Sequence, residues 1–147
     1  MISNCPLCNQ KYYTGLINKS DLVNELCCFL KERIVLGGNT HEKIKAMVFM
    51  FAELYGYECY LEYYLKLEDK KAKSGYRSTR IDAVYLENKM PVLAIEIDKN
   101  AKKRNLKKMM QLECDRLWID FSQKNKIKKK NPIPEKLEGV TTFKIFG

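Results

Sequence analysis

The chain lacks most of the features that would fix its class at once. It has one histidine, one tryptophan and four prolines in 147 residues. No apolar run reaches the roughly 18 residues that a membrane-spanning helix needs, so no membrane partner is expected. The opening MISNCPLCNQ has neither a charged n-region nor an apolar h-region. No secretory signal is therefore expected, and the predicted setting is intracellular: cytoplasmic, or nuclear in a eukaryotic or viral context. There is no internal repeat, and no linker splits the chain. The length fits one domain with a real core. Hydrophobic residues make up 46%, which excludes a disordered tail.

Positive charge is what the chain has in excess. Its 27 Lys and Arg outnumber 18 Asp and Glu, a net charge of +9. The basic residues cluster in DKKAKSGYRSTR, DKNAKKRNLKK and KNKIKKKNP. A single lysine run often does no more than solvate a face. Three runs, two of them flanking an acidic stretch, point instead to a polyanion, and a nucleic-acid backbone is the usual one.

Six cysteines lie at positions 5, 8, 27, 28, 59 and 114. An intracellular setting argues against a disulfide framework. Cys5 and Cys8 form one Cys-x-x-Cys pair, a spacing at which thiolates hold zinc. No second pair completes it, so a structural Zn²⁺ would need Cys27, Cys28 or His41. NELCCFLKE reads equally well as a buried helix face, with cysteine as a small hydrophobe.

Along the chain, residues 1–18 read as a loop-rich appendage. A helix is predicted for about 20–35, with Ser20 as N-cap and the Gly37-Gly38 pair as its stop. A second helix starts at Asn39, with Glu42 three residues on in a capping pattern, and ends at Gly56. Its middle, AMVFMFA, is apolar almost all round, which predicts burial between layers. YECYLEYYLKLE, RIDAVYLEN and MPVLAIEID read as strands, the last two joined in a hairpin through ENKMP. NAKKRNLKKMMQLE is helical, RLWIDFS and VTTFKIF are strands, and a basic Pro-containing loop separates those two. The order α-α-β-β-β-α-β-β predicts an α/β protein with one mixed sheet and helices on both faces.

Three acids sit inside these strands. On PVLAIEID, alternation puts Val92, Ala94, Glu96 and Asp98 on one face. Asp82 shares its face with Val84 and Leu86, and strand pairing would bring it to Glu96. Close carboxylates repel one another. A hard divalent cation removes that cost, and oxygen ligands select Mg²⁺ or Mn²⁺. With a basic surround, the acids suggest phosphodiester hydrolysis. Simple pairing with Lys or Arg is the competing expectation.

The residues RIDAVYL and LAIEID resemble the motif of the PD-(D/E)xK nuclease superfamily, the restriction-endonuclease-like fold. The resemblance covers about residues 39–146 and implies an α-β-β-β-α-β core. It implies a division into an N-terminal Cys-bearing segment and helix, 1–38, and a nuclease core, 39–147, within one compact unit. It implies Asp82 and Glu96 as metal ligands, with the carbonyl of Ile97 and a helix acid, for which Glu42 is the candidate. The lysine of the motif is Asp98 here. That E-x-D variant is similar to very-short-patch-repair endonucleases and their relatives. Lys99, Lys102, Lys103 and Lys107 are candidates to supply the missing cation, and a catalytic set of Asp82, Glu96, Asp98, Lys99 and Lys103 follows. His41 resembles a ligand in viral cap-snatching endonucleases; a lone histidine at a helix start is more often a cap or a surface residue. Arg77, Arg80, Lys102, Arg104 and Lys107 are the expected backbone contacts, with an ordinary salt bridge to Glu or Asp as the alternative for either Arg77 or Arg80 alone. Trp118 reads as core. The tyrosines of YGYECYLEYY suit strand packing more than base stacking.

The leading expectation is thus a Mg²⁺- or Mn²⁺-dependent nuclease acting on DNA in preference to RNA. Double-strand cutting by a single-site domain of this size often takes a homodimer. The alternatives are a nucleic-acid-binding protein that has lost catalysis, and a zinc-stabilised interaction domain.

Overall fold

The computed structural model describes residues 2–4, 11–13, 21–34, 38–99, 103–122 and 139–145, with side chains from residue 21 on except those of Lys103 and Arg104. The elements are β1 (Ile2–Asn4), β2 (Lys11–Tyr13), α1 (Leu22–Arg33), α2 (Thr40–Tyr55), β3 (Glu58–Glu68), β4 (Tyr76–Glu87), β5 (Met90–Asp98), α3 (Lys103–Met109), β6 (Asp115–Asp120) and β7 (Thr141–Lys144). The stretch predicted as loop contains a short antiparallel ladder, β1 with β2.

Five strands form one mixed sheet in the order β3-β4-β5-β6-β7. β3, β4 and β5 are an antiparallel meander, and β6 and β7 add in parallel. The β4–β5 turn places Asn88 at φ 51° and Lys89 at φ 66°. That is the positive-φ pair a two-residue hairpin demands, and Asn tolerates it best among non-glycine residues. The β5–α3–β6 segment is the crossover that a parallel pair requires.

Helices cover both faces. Leu22, Leu26, Phe29 and Leu30 of α1 recur at helical spacing and are buried against α2 and the sheet. Ile44, Val48, Phe51 and Ala52 do the same from α2, over Ala83, Tyr85, Leu93, Ile95 and Ile97. The Tyr85 hydroxyl donates to the Val48 carbonyl and ties sheet to helix. On the other face Leu106 and Met109 of α3 pack with Val84, Ala94 and Trp118. Among the described residues, no helix is long and apolar enough to cross a membrane.

Several helix expectations are corrected. α2 is not enclosed: Phe49, Met50 and Leu54 stand exposed on its outer side. Its core-facing stripe was masked in the sequence by apolar residues at solvent positions. Asn39 precedes it in a left-handed conformation with no side-chain capping bond. Glu42 instead lies 3.4 Å from His41 Nδ1 and 3.5 Å from Lys45 Nζ. α1 starts after Asp21, also without a side-chain cap; Ser20 and Gly37 lie outside the described residues. α3 is shorter than predicted. Met110, counted with its apolar side, is exposed.

The meander carries a register shift at Tyr85 and Leu86 and a second irregularity between β3 and β4. Ile81 and Val84 pack into the same cluster, although alternation assigns them opposite faces. Glu62, between the pairs Leu61–Ala83 and Tyr63–Ile81, has φ 54°. Its carboxylate accepts from Lys45 Nζ at 2.9 Å. The two-stranded ribbon therefore turns over at Glu62 and Asp82.

Candidate functional site

The acids converge at one end of the sheet. β5 and β6 run parallel and end there, and antiparallel β4 passes Asp82 through the same level. The crevice beyond the carboxyl ends of parallel strands is a common place for ligands. Here it is a cleft of about 310 Å³, lined by His41, Asp82, Glu96, Asp98, Lys108 and Phe121 together with Ile97, Lys99 and Asn105.

Asp82 and Glu96 are interlocked. The Asp82 main-chain N–H donates to Glu96 Oε1 at 3.3 Å. The Ile97 N–H donates to Asp82 Oδ2 at 2.8 Å. Each carboxylate thus takes a backbone donor from the other's strand. The turnover of the ribbon at Asp82 is what aims that side chain at the cleft. His41 Nε2 lies 3.6 Å from Asp82 Oδ2, so the start of α2 closes this side.

Glu96 is buried among charges. Loss of hydration, then the Asp82 carboxylate, pushes it up to about 8, and Lys108 pulls the other way. Lys108 Nζ lies 3.2 Å from Glu96 Oε1 and donates to the Arg80 carbonyl at 2.7 Å. Asp98 lies on the same face of β5. It accepts from Asn105 Nδ2 at 2.9 Å and from Trp118 Nε1 at 3.1 Å. Burial raises its pKa, and the Asn105 bond draws it back. Asn105 and Lys108 sit three apart on α3, on one side of that helix.

Other predicted residues fall differently. Glu42 begins α2 but is exposed and outside the cleft lining. Lys99 is exposed at the cleft rim. Lys107 is exposed on α3, outside the lining. Lys103 and Arg104 belong to the first turn of α3, and their side chains lie outside the described residues, as does the whole of Lys102. Arg77 is exposed on β4; Arg80 is exposed and bonded to the Tyr64 hydroxyl at 2.9 Å. Cys5 and Cys8 lie outside the described residues. Cys27 is a free thiol that burial pushes up to about 12. Cys28 is disulfide-bonded, whereas Cys27, Cys59 and Cys114 are free; the expectation was only that an intracellular setting argues against a disulfide framework.

Lys108, Asn105 and Phe121 were not anticipated. The only signal for Lys108 was its place in a lysine-rich helix after the acidic strand. Phe121 had none.

The donor set suits a hard cation. Asp82, Glu96 and Asp98 could offer carboxylate oxygens, and burial first, then the charges of Asp82 and Asp98, raise the pKa of Glu96. Among the described residues no three His, Cys, Asp or Glu side chains are grouped as ligands. Lys108 occupies the counter-charge position. No family model, curated protein or solved structure matches the chain.

Proposed function

We propose that the cleft is the active site of a metal-dependent nuclease built on a restriction-endonuclease-like core, with DNA favoured over RNA. The observation that carries this is the Asp82–Glu96 interlock with Lys108 on Glu96. The order α2-β3-β4-β5-α3-β6 agrees with the α-β-β-β-α-β core, and the acids lie on its second and third strands. The cation that the PD-(D/E)xK motif takes from the strand comes here from α3. Asp98, which replaces it in sequence, is engaged by Trp118 and Asn105.

Asp82, Glu96 and the Ile97 carbonyl would hold Mg²⁺ or Mn²⁺, with His41 beside them. When bound, such an ion polarises a phosphoryl oxygen and lowers the pKa of a bound water. The protein's own groups do the rest. Lys108 stabilises negative charge that develops on the phosphate. Asn105 and Trp118 fix Asp98 so that its charge stays beside Glu96. Lys99 at the rim and Arg80 on β4 draw the backbone in.

The test is cleavage of single-stranded DNA, duplex DNA and RNA with Mg²⁺, Mn²⁺ or EDTA, by the native chain and by Glu96→Ala. Cutting that needs both the metal and Glu96 is expected. Full activity in Glu96→Ala would overturn the assignment. A second reading is favoured by the Lys108–Glu96 pair itself, since a lysine already neutralises the acid. It is a nuclease fold that binds nucleic acid without cutting. Salt-sensitive binding with no metal-stimulated cleavage would establish it.

A further inference from the structure

Beyond the turnover at Asp82, the β3–β4 ribbon runs on past the cleft with little covering it among the described residues. Tyr64 pairs with Arg80, Lys66 with Ser78 and Glu68 with Tyr76, so these side chains share one face. The face is open: Tyr64 is 63% exposed and Tyr76 46%. A single exposed ring is ordinary, but Tyr64 and Tyr76 lie on one face, each beside a cation, and form a patch.

The rings are paired with cations. The Arg80 guanidinium lies 4.8 Å over the Tyr64 ring and donates to its hydroxyl. Lys66 Nζ lies 4.8 Å over the Tyr76 ring. Residues 66–80 hold six basic side chains against two acidic ones. Flat π-faces and positive charge alternate along the ribbon, the combination that binds unpaired nucleotides: rings stack on bases, and cations meet the backbone. A duplex cannot use the rings, because its bases are already stacked within it.

The platform is joined to the cleft. Arg80 precedes Asp82 by two residues on one strand, about 7 Å. Lys108 links them through the backbone, donating to the Arg80 carbonyl while pairing with Glu96. A strand laid along Tyr76 and Tyr64 would arrive at the carboxylates.

We propose that the outer half of the β3–β4 ribbon is a stacking platform for single-stranded nucleic acid, which it delivers to the cleft. The delivery step rests on the nuclease reading above; the binding itself does not. Fluorescence anisotropy tests it, with the Glu96→Ala chain in EDTA so that nothing is cut. The probes are labelled oligo(dT), oligo(U) and a DNA hairpin duplex, each about 12 nucleotides per strand. Single strands should bind more tightly than the duplex. Adding Tyr64→Ala or Tyr76→Ala should weaken single-strand binding about tenfold and leave duplex binding within about twofold. Tyr64→Phe keeps the ring and should keep the affinity. Tyrosine dependence with oligo(dT), oligo(U) or both supports the platform. Duplex binding as tight as single-strand binding, or unchanged affinity in both alanine variants, overturns it. The two proposals fail separately. Tyrosine-dependent binding by a chain that never cuts removes the nuclease and keeps the platform. Glu96-dependent cutting with no effect of either tyrosine variant removes the platform alone.

Discussion

Lys108 carries more of the candidate chemistry than any other single cation in the cleft. It sits against a buried carboxylate whose pKa is already raised, so it balances charge there, and on the proposed nuclease reading it would meet the substrate phosphate as well. Lys108→Met should lower kcat for cleavage on the order of a hundredfold, with little change in KM. Steady-state rates against substrate concentration would check this, and an equal loss through KM would make Lys108 a binding residue instead. The identity of this lysine could not be read from the sequence. Lys107 and Lys108 are adjacent on a seven-residue helix, and only the docked helix shows which one leans over β5. Asp82 and Glu96 were legible because period-two alternation and strand pairing are short-range rules. The role of Trp118 was half legible: it is buried as expected, and its indole N–H also holds Asp98.

The elements were more legible than their edges. Strands of the meander and the two long helices followed from hydrophobic period and from turn residues. The helix starts followed too, to within two residues, but the capping bond expected at Asn39 is not made, because a cap inferred from residue type says nothing of the backbone angle that must aim it; Ser20 lies outside the described residues. α1 also holds an electrostatic cost. Glu25 is buried in it, and desolvation with the Asp21 carboxylate pushes it up to about 7 from 4.5. Between those values the folded chain keeps a proton that the unfolded chain has lost. Its contribution to stability is therefore greatest below about pH 4.5 and declines until about pH 7. Glu25→Gln should remove this decline and be more stable than the native chain at pH 8. Glu96 adds a slope of the same sign, but it is common to both proteins. Urea melts at pH 5 and pH 8 would measure the difference, and parallel pH dependence in the two chains would refute it.

At the scale of the whole molecule, a net charge of +9 acts before any contact forms. Association with a polyanion should be fast and strongly salt-dependent. Four phosphate contacts to a single strand correspond to a loss of affinity on the order of 50-fold between 50 and 200 mM salt. The slope of log K against log salt measures this directly, and a slope near zero would exclude backbone binding. The mixed sheet has a kinetic side as well. Asp82 and Glu96 belong to the antiparallel meander, whose strands follow one another through short turns. Lys108 belongs to the crossover between the parallel strands β5 and β6. Local pairings form sooner than distant ones. Asp82 stands 14 residues before Glu96 and Lys108 stands 12 after it, so the second carboxylate and the lysine that offsets both have loops of nearly equal length to close, and sequence separation delays neither.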